Sequence, residues 1–470
     1  MPSARCAAPS AGWKATSAPQ RRRPAGVTWK NDTVASVNPP RGMRDFLPAD
    51  KARRERVLAV IRDRYRAHGF DEIETPVVED YDRLHAGIGG DNEKLAFNVL
   101  KRGLDADAIR AAADAPDGVD AHALADLGLR YDLTVPLARF YATHRAELPT
   151  VFRSIQMAPV WRAERPQKGR YRQFVQCDID IIGDATSRAE AELLVASLDA
   201  LDELGLVGAT FRINDRRALD WMLAHFGFAE SERAGVLITI DKLDKVGPDG
   251  VIAELRGRDA AASAVEAFDA FLRRPQSDHV LPFGEQQIRA ALPAGAPDDI
   301  VADLVAIGAA VSAARGIGGG DRVDAPLEFD PFLVRGMGYY TGTIFELAHP
   351  SVAYSLGGGG RYDGMIGRFL GQDVPAVGFS IGFERIVDLL ETAADAGAAA
   401  VVLVHDRDVP VGELVALKAA LVADGARVRL EQRTKNLKVL LERAAADGYT
   451  SFATVAAGQP RDALETKPLS

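Results

Sequence analysis

The sequence is poor in cysteine: Cys6 and Cys177 are the two among 470 residues. Two cysteines that far apart exclude a disulfide framework and a CxxC metal pair, so we expect a reducing, cytoplasmic location. The eight histidines never lie three to five residues apart, the spacing of ligands on one helix face, so no metal site is predicted. The longest apolar runs, such as residues 398–404, are too short to cross a bilayer, which argues against a membrane protein.

The common nucleotide-binding motifs are missing as well. The dipeptide Gly-Lys never occurs, which excludes a P-loop, and no G-x-G-x-x-G fingerprint of dinucleotide-binding folds is present. One hydrolase-like pattern does occur: G-x-S-x-G at residues 378–382, followed by Asp388 and His405 in the order of a serine hydrolase triad. That motif requires a sharp strand-to-helix turn in a mostly parallel sheet, whereas the glycine-rich strands around it are predicted to be antiparallel. We therefore interpret Ser380 as a strand residue and keep a serine hydrolase as an alternative.

Positive charge is concentrated in a short segment of a chain whose net charge is −9. Residues 162–172, RAERPQKGRYR, form a predicted turn that carries five cations and one acid. Arginine forks fit phosphate oxygens, and the strand that follows places Phe174, Gln176, Asp178 and Asp180 on one face. This set suits a polyphosphate with an aromatic base and a cationic group. Carboxylates that only balance the arginines are the structural alternative.

The two ends of the chain differ from its middle. Residues 1–38 are basic and rich in Ala, Ser and Pro, which predicts a disordered tail; a transit peptide or a misassigned start are the alternatives. Residues 398–454 alternate strand and helix in the order βαβαβ, which predicts a small parallel-sheet domain. Within it, residues 427–443 carry six cations and two acids, a candidate phosphate-backbone patch or an exposed helix face.

Several segments together carry a family resemblance. They are NPPRGMRDFLP (38–48), LRYDLTVPLAR (129–139), WRAERPQKGRYRQF (161–174), LVRGMGYYTGTIFE (333–346), GGGGRYDG (357–364) and VGFSIGFERI (377–386). On these motifs the chain, from about Pro39 onward, resembles the histidyl-tRNA synthetases, a family of class II aminoacyl-tRNA synthetases. The third and sixth segments resemble motifs 2 and 3 of the class, and helix 50–68 with the strand ending near Pro76 resembles motif 1. The fourth and fifth segments are the ones that point to histidine.

The resemblance implies an α+β fold: a class II synthetase antiparallel sheet flanked by helices, with a helical insertion and a C-terminal α/β anticodon-binding domain. The implied divisions are a disordered basic tail (1–38), catalytic core with motifs 1 and 2 (39–215), helical insertion (216–325), catalytic core with the histidine motifs and motif 3 (326–392) and anticodon-binding α/β domain (398–470).

The resemblance also implies a two-step reaction. ATP and L-histidine give histidyl-adenylate and pyrophosphate, and the histidyl group then passes to the 3′ end of tRNA(His). The implied partners are tRNA(His), L-histidine and ATP, with Mg²⁺ inferred from ATP chemistry and a homodimer inferred from motif 1. The main catalytic task is to neutralise charge on phosphate oxygens while the reactants stay aligned.

By motif position, Arg162 and Arg335 are the implied catalytic residues on either side of the α-phosphate. The implied ATP-binding residues are Arg162, Glu164, Arg170, Phe174 and Arg385. The implied histidine-binding residues are Asp132, Leu133, Thr134, Arg162, Gln176, Asp180, Arg335, Tyr339 and Tyr340. Among the latter, Asp132, Thr134 and Gln176 suit the ammonium, and Asp180 with the two tyrosines suits the imidazole.

One position departs from the commoner family pattern. Gly338 stands where an Asp is usual, so a possible carboxylate partner of Arg335 is missing. A non-catalytic synthetase paralogue, such as a regulatory subunit of ATP phosphoribosyltransferase in histidine biosynthesis, is the alternative function. Such a paralogue usually lacks the C-terminal domain and the ATP-binding arginines, whereas this chain retains both, so the ligase is the favoured interpretation.

Overall fold

The computed structural model describes residues 37–85, 95–116, 118–166, 170–206, 208–258, 261–274, 283–316, 326–335, 338–390 and 399–469. Almost all of the predicted N-terminal tail and Lys168 of the arginine-rich turn lie outside these residues. Within the described residues, no helix is both long and apolar enough to cross a membrane.

A large sheet forms the centre of the fold. Within the described ranges its eight strands lie in the order β1-β5-β6-β11-β10-β9-β7-β8, antiparallel except for the outer pairs β1–β5 and β7–β8. The strands are β1 (Asp71–Glu72), β5 (Phe152–Trp161), β6 (Gln173–Ile182), β7 (Thr210–Asp215), β8 (Leu327–Phe329), β9 (Thr343–His349), β10 (Val352–Arg361) and β11 (Ala376–Gly382). The antiparallel sheet predicted from the resemblance is therefore confirmed.

The chain also forms a second, smaller sheet of three strands among the described residues. Its strands are β2 (Val78–Asp80), β3 (Phe97–Leu100) and β4 (Ala125–Leu129). The strand predicted to end near Pro76 is instead two short strands, β1 and β2, with Pro76 between them. Proline has no N–H to donate to a ladder, so neither strand continues through it.

Helices surround the large sheet. They are α1 (Pro48–Ala67), α2 (Tyr81–His85), α3 (Ala106–Ala113), α4 (Ala121–Leu124), α5 (Thr134–His144), α6 (Arg188–Glu203), α7 (Arg216–Phe226), α8 (Glu230–Ile240), α9 (Leu243–Arg256), α10 (Ala262–Leu272), α11 (Glu285–Ala291), α12 (Asp298–Ala314), α13 (Asp363–Leu370) and α14 (Phe383–Leu389). Helix α1 starts at Pro48, where a missing N–H costs nothing, and buries Val57, Ile61 and Tyr65 along one face.

The two faces of β6 explain how the sheet positions a site. Cys177, Ile179 and Ile181 point into the main core, which α1 and α6 cover. The alternate residues point to the other face, since side chains alternate along a strand. That second face is also covered, so polar side chains on it are buried as well.

The predicted helical insertion contains two packing groups. Helices α7 to α10 form a separate hydrophobic cluster around Phe268, joined by Phe332 from the loop after β8. Helix α12 instead packs on α6, and its Leu304 and Ile307 belong to the main core. A helical pattern predicts an apolar face but not which partner covers it, so the sequence did not separate the two groups.

The C-terminal segment folds around a sheet of its own. It contains β12 (Ala400–His405), α15 (Val411–Ala423), β13 (Arg427–Gln432), α16 (Leu437–Ala446), β14 (Ser451–Val455) and β15 (Lys467–Pro468). The first three strands are parallel, with β12 in the middle, and β15 adds an antiparallel edge to β14. The predicted βαβαβ order is present.

Candidate active site

A cavity of about 660 Å³ opens on the polar face of the large sheet. Its wall includes all but one of the predicted site residues: Asp132, Thr134, Arg162, Glu164, Arg170, Phe174, Gln176, Asp180, Arg335, Tyr339, Tyr340 and Arg385. Leu133 is the exception, because its side chain is fully buried and its carbonyl oxygen accepts a hydrogen bond from Gln156 Nε2 at 3.1 Å. Residues far apart in the sequence, from Asp132 to Arg385, therefore meet in one place.

Four arginines form what we call the arginine end of the cavity: Arg162, Arg170, Arg335 and Arg385. Arg162 starts the motif 2 turn, where its Nε donates to the carbonyl oxygen of Tyr131 at 3.0 Å. Arg385 is held on α14 by a hydrogen bond from its Nη1 to the carbonyl oxygen of Ser355. Burial, and then the positive charge of Arg170, lower the pKa of Arg385, and Arg335 acts in the same direction. Converging cations of this kind are stabilised by a polyanion.

Two further residues give this end an aromatic surface and an acid. The guanidinium carbon of Arg162 lies 5.0 Å from the ring centre of Phe174, the second residue of β6. Glu164 forms an ion pair with Arg170, with 2.9 Å between Oε2 and Nη1.

The opposite end is acidic, and we call Asp132, Asp178, Asp180 and Gln176 the acidic end. All four are buried, at 8% exposure or less. Two acceptor atoms here, Asp132 Oδ2 and Gln176 Oε1, are buried and have no hydrogen-bond donor in the part of the chain that the structure describes. An unsatisfied buried acceptor costs about 1–3 kcal/mol, more when charged, so this end requires a ligand that donates hydrogen bonds.

Burial also changes how these acids titrate. It raises the pKa of Asp132 to about 6, against hydrogen bonds from the Val135 and Thr134 backbone and the charge of Arg162. It raises the pKa of Asp180 to about 7, an effect that the Tyr362 hydroxyl opposes and Asp132 strengthens. Burial, and then repulsion from Asp180, raise the pKa of Asp178. A cation in this end relieves the repulsion and returns the carboxyl groups to their charged form.

Three tyrosines close the cavity beside the acids. The Tyr362 hydroxyl donates to Asp180 Oδ1 at 2.6 Å, and its ring lies 6.0 Å from that of Tyr339. The rings of Tyr339 and Tyr340 are 4.7 Å apart. Gly378, opposite Asp180 in the ladder between β11 and β6, leaves room for that carboxylate: a Cβ there would lie 1.9 Å from Asp180 Oδ1.

Sequence reasoning missed several residues of the wall. Asp178 was predicted to share a strand face with Gln176 and Asp180 beside a cationic group, but not to be a histidine-binding residue. Tyr362 and Glu346 lie inside the segments 357–364 and 333–346 and were not predicted as site residues. Gly338 removes one possible carboxylate partner of Arg335, but Glu346 supplies another: its Oε2 accepts from Arg335 Nη1 at 2.8 Å. The position of Tyr362 and Glu346 inside these two motifs was the sequence signal that could have identified them.

Ser380 does not have the surroundings of a hydrolase nucleophile. It lies inside β11, two residues before its end, and pairs with Gly358 on one side and Asp178 on the other. Its Oγ accepts from Gln176 Nε2 at 3.2 Å. A nucleophile elbow needs a sharp turn directly at the serine, so this geometry supports the strand interpretation.

The described carboxylates do not form a metal centre at the arginine end. Among the residues that the structure describes, no group of three or more His, Cys, Asp or Glu side chains is arranged to hold a metal ion. Glu346 pairs with Arg335, and Glu384 pairs with Arg44 and Arg54. Mg²⁺ bound to ATP keeps several waters and needs only one or two carboxylates from the protein.

The antiparallel sheet, with an arginine-bearing turn between two long strands and a second arginine on the helix after β11, has the architecture of a class II aminoacyl-tRNA synthetase. A family model described as histidyl-tRNA synthetase matches residues 42–114 and 102–386. The chain belongs to the histidyl-tRNA synthetase family.

Individual relatives agree with the family model. A histidine–tRNA ligase of Leifsonia xyli subsp. xyli is 59% identical over 438 residues, which is 93% of this chain and 99% of the relative. A probable histidine–tRNA ligase of Tropheryma whipplei is 42% identical over 92% of this chain and 98% of the relative.

Solved structures share the fold. The crystal structure of histidyl-tRNA synthetase from Nostoc sp. has a TM-score of 0.71 at 24% identity and covers 92% of this chain and 95% of its own. A structure from Bacillus halodurans, described as an ATP phosphoribosyltransferase regulatory subunit/histidyl-tRNA synthetase, has a TM-score of 0.68 at 21% identity over 90% of this chain and 99% of its own.

Proposed function

We propose that the chain is a histidine–tRNA ligase that activates L-histidine with ATP and transfers the histidyl group to the 3′ end of tRNA(His). The observation that carries this proposal is one cavity with two complementary ends. The arginine end suits the phosphates of ATP, and the acidic end has buried acceptors that require donors. Histidine supplies such donors through its ammonium and its ring N–H.

In the first step, the histidine carboxylate attacks the α-phosphorus in line, and the bond from that phosphorus to the pyrophosphate oxygen breaks. Arg162 holds the α-phosphate and the histidine carboxylate, and Arg335 contacts the α-phosphate from the other side. Arg385 and Arg170 bind the polyphosphate that leaves. These side chains keep their charge throughout, and a single preorganised donor of this kind contributes about 10²–10³ in rate.

The acidic end selects the amino acid. Asp132, Thr134 and Gln176 accept hydrogen bonds from the ammonium, with Asp132 Oδ2 and Gln176 Oε1 as the unsatisfied acceptors that fit it. Asp180 and the hydroxyl groups of Tyr339 and Tyr340 contact the imidazole. A site built to pair with a polar group rejects analogues without it by about 10⁴-fold.

The remaining predicted residues complete the two substrates' sites. Phe174 stacks on adenine and Glu164 contacts its edge, since both lie beside Arg162 and Arg170. Leu133 acts through the backbone of the turn that carries Asp132 and Thr134, since its side chain is buried away from the cavity. Mg²⁺ enters as the complex with ATP.

The second step requires tRNA. We assign its anticodon part to the C-terminal α/β domain, where Lys435 and Lys438 of the basic segment 427–443 are exposed. Phosphate contacts make such binding salt-dependent. We also propose a homodimer, supported by the exposed apolar side chain of Leu47, which directly precedes α1 of motif 1 and is 72% exposed. The scarcity of cysteine supports a cytoplasmic location. Light scattering after gel filtration tests the dimer.

The direct test is amino-acid-dependent ATP–pyrophosphate exchange with all twenty amino acids and magnesium. Exchange with histidine alone, followed by charging of tRNA(His), is the expected result. No exchange with any amino acid, from folded protein, overturns the proposal and favours the regulatory paralogue. Ser380→Ala separates the hydrolase alternative, because it abolishes a serine hydrolase and is expected to change histidine exchange by less than about tenfold, the upper size of one neutral hydrogen bond.

A further inference from the structure

A row of polar residues crosses the large sheet under the cavity. Residues that pair directly in neighbouring strands project to the same face of a sheet. The row runs through five consecutive ladders from β5 to β7: Gln156–Asp178, Asp178–Ser380, Ser380–Gly358, Gly358–Glu346 and Glu346–Arg212. One member, Gly358, has no side chain, so the row has a gap between Ser380 and Glu346.

The guanidinium of Arg335 fills this gap. A Cβ on Gly358 would lie 2.1 Å from Arg335 Nη2 and 2.3 Å from its Cζ, so only glycine leaves space for it. Arg335 reaches the gap from the loop after β8 rather than from a strand of the row. Its Nη1 donates to Glu346 at 2.8 Å, and its Nε is buried without an acceptor among the described residues.

Glu346 is itself held from the other side. Its two carboxylate oxygens are divided: Oε2 accepts from Arg335 at 2.8 Å and Oε1 accepts from Arg212 Nη1 at 3.2 Å. Arg212 is also paired with Asp330, which follows β8, and with Asp244 at the start of α9. Arg212 thus ties Glu346 to three separate elements and prevents its carboxylate from rotating freely.

We propose that Arg212 and Glu346 are positioning residues for Arg335, and that Arg212, which does not line the catalytic cavity, acts on the reaction only through Glu346. This inference rests on the proposed function. Arg335 acts on charge that develops at the α-phosphate, and a displacement of about 1 Å in such a group costs about 10² in rate. Loss of the support is therefore expected in kcat more than in the KM for histidine.

The test is a double-mutant cycle in histidine-dependent pyrophosphate exchange, with Arg212→Met, Arg335→Lys and both together. Arg212→Met keeps the length of the side chain and removes its fork. We expect it to lower kcat about tenfold, and to lower it less than threefold when Arg335 is already Lys, because the positioned group has gone. Arg212→Lys, which keeps a charge, is expected to recover part of kcat.

A matched control separates positioning from stability. Arg217 on α7 also bridges two carboxylates, Asp215 and Asp303, and does not line the cavity. Arg217→Met should lower the melting temperature comparably and leave kcat unchanged. If Arg212→Met does not fold, Glu346→Gln replaces it in the same cycle.

The outcomes are distinct. The positioning role is overturned if Arg212→Met lowers kcat by the same factor in the wild-type and Arg335→Lys backgrounds. It is also overturned if Arg217→Met, with a comparable drop in melting temperature, lowers kcat as much as Arg212→Met does. Absence of histidine exchange in the wild-type chain overturns the proposed function instead, and is seen before any variant is made.

Discussion

Two buried ionic clusters lie next to each other in the chain and are used in opposite ways. Arg361, at the end of β10, donates to both oxygens of Glu190, at 2.6 and 2.7 Å, and to the carbonyl oxygens of Asp184 and Thr186. Tyr362, the next residue, donates to Asp180 of the acidic end, where two acceptor atoms have no donor among the described residues.

The two clusters show that buried charged groups can either stabilise the fold or bind a ligand, depending on whether they are paired within the protein. The Arg361–Glu190 pair satisfies its own charges, so it links β10 to α6 and needs nothing further. The acidic end has like charges in a small buried volume, which is unfavourable until a cation enters. The Arg361–Glu190 pair thus fixes the backbone next to Tyr362, the residue that donates to Asp180 in the acidic end.

The largest expected effect concerns the satisfied cluster. Glu190→Gln leaves the buried charge of Arg361 without its main partner, and breaking a buried pair costs about 3–5 kcal/mol of unfolding free energy. Urea unfolding measures this cost. Glu192→Gln is the matched control on the same helix: its pair with Arg153 is partly exposed and should be worth less than about 1 kcal/mol. Equal costs for the two variants would contradict the comparison.

Asp180→Asn tests the unsatisfied cluster. We expect histidine-dependent exchange to fall about 10²-fold, because the ring N–H loses a charged acceptor, while the melting temperature does not fall. Asp180 has a folded pKa of about 7, above its unfolded value, so its favourable contribution to stability is lost as pH rises through 7. The melting temperature of Asp180→Asn should therefore exceed that of the wild type by the largest margin at pH 8. A melting temperature of the variant below that of the wild type at pH 8 would show that Asp180 stabilises the fold, as the Arg361–Glu190 pair does. Asp220→Asn, at a partly exposed position, is the control.

Gly358→Ala tests the space that Arg335 occupies. The added Cβ displaces the guanidinium and is expected to lower kcat about 10- to 100-fold. Gly364, in helix α13, has open space around its Cβ position, so Gly364→Ala should leave kcat unchanged and stabilise the chain by about 0.4–1 kcal/mol. Unchanged kcat in Gly358→Ala would mean that Arg335 works from another position.

The smallest expected effect is the pH dependence of histidine binding. Asp132 and Asp180, with pKa values of about 6 and 7, lose charge as pH falls, so the KM for histidine should rise by up to about tenfold between pH 8 and 6. The KM for ATP, measured alongside, should change less. Calorimetry in two buffers of different ionisation enthalpy should show proton release on histidine binding at pH 7. If no proton is released, the carboxyl groups of Asp132 and Asp180 are already charged before histidine binds, which contradicts the repulsion inferred for the acidic end.

Local patterns predicted a substantial part of the fold. Pro48, Asp50 and the spacing of Val57, Ile61 and Tyr65 predicted α1, and the βαβαβ order of the C-terminal segment was visible in its alternation. Helix α5 was not predicted from the sequence. Its Pro136 lies in the first helical turn, where proline loses no hydrogen bond, so the helix forms in spite of it.

The candidate site divides in the same manner. The chemical groups of the site can be read from the sequence: the arginine turn, the alternating Gln176, Asp178 and Asp180, and the glycines of β10. Their contacts cannot, because it is the folded sheet that brings Arg335 over Gly358 and places Glu346 between Arg335 and Arg212. Those contacts join strands far apart in the sequence, and the cost of burying a charge depends on neighbours that no local pattern contains.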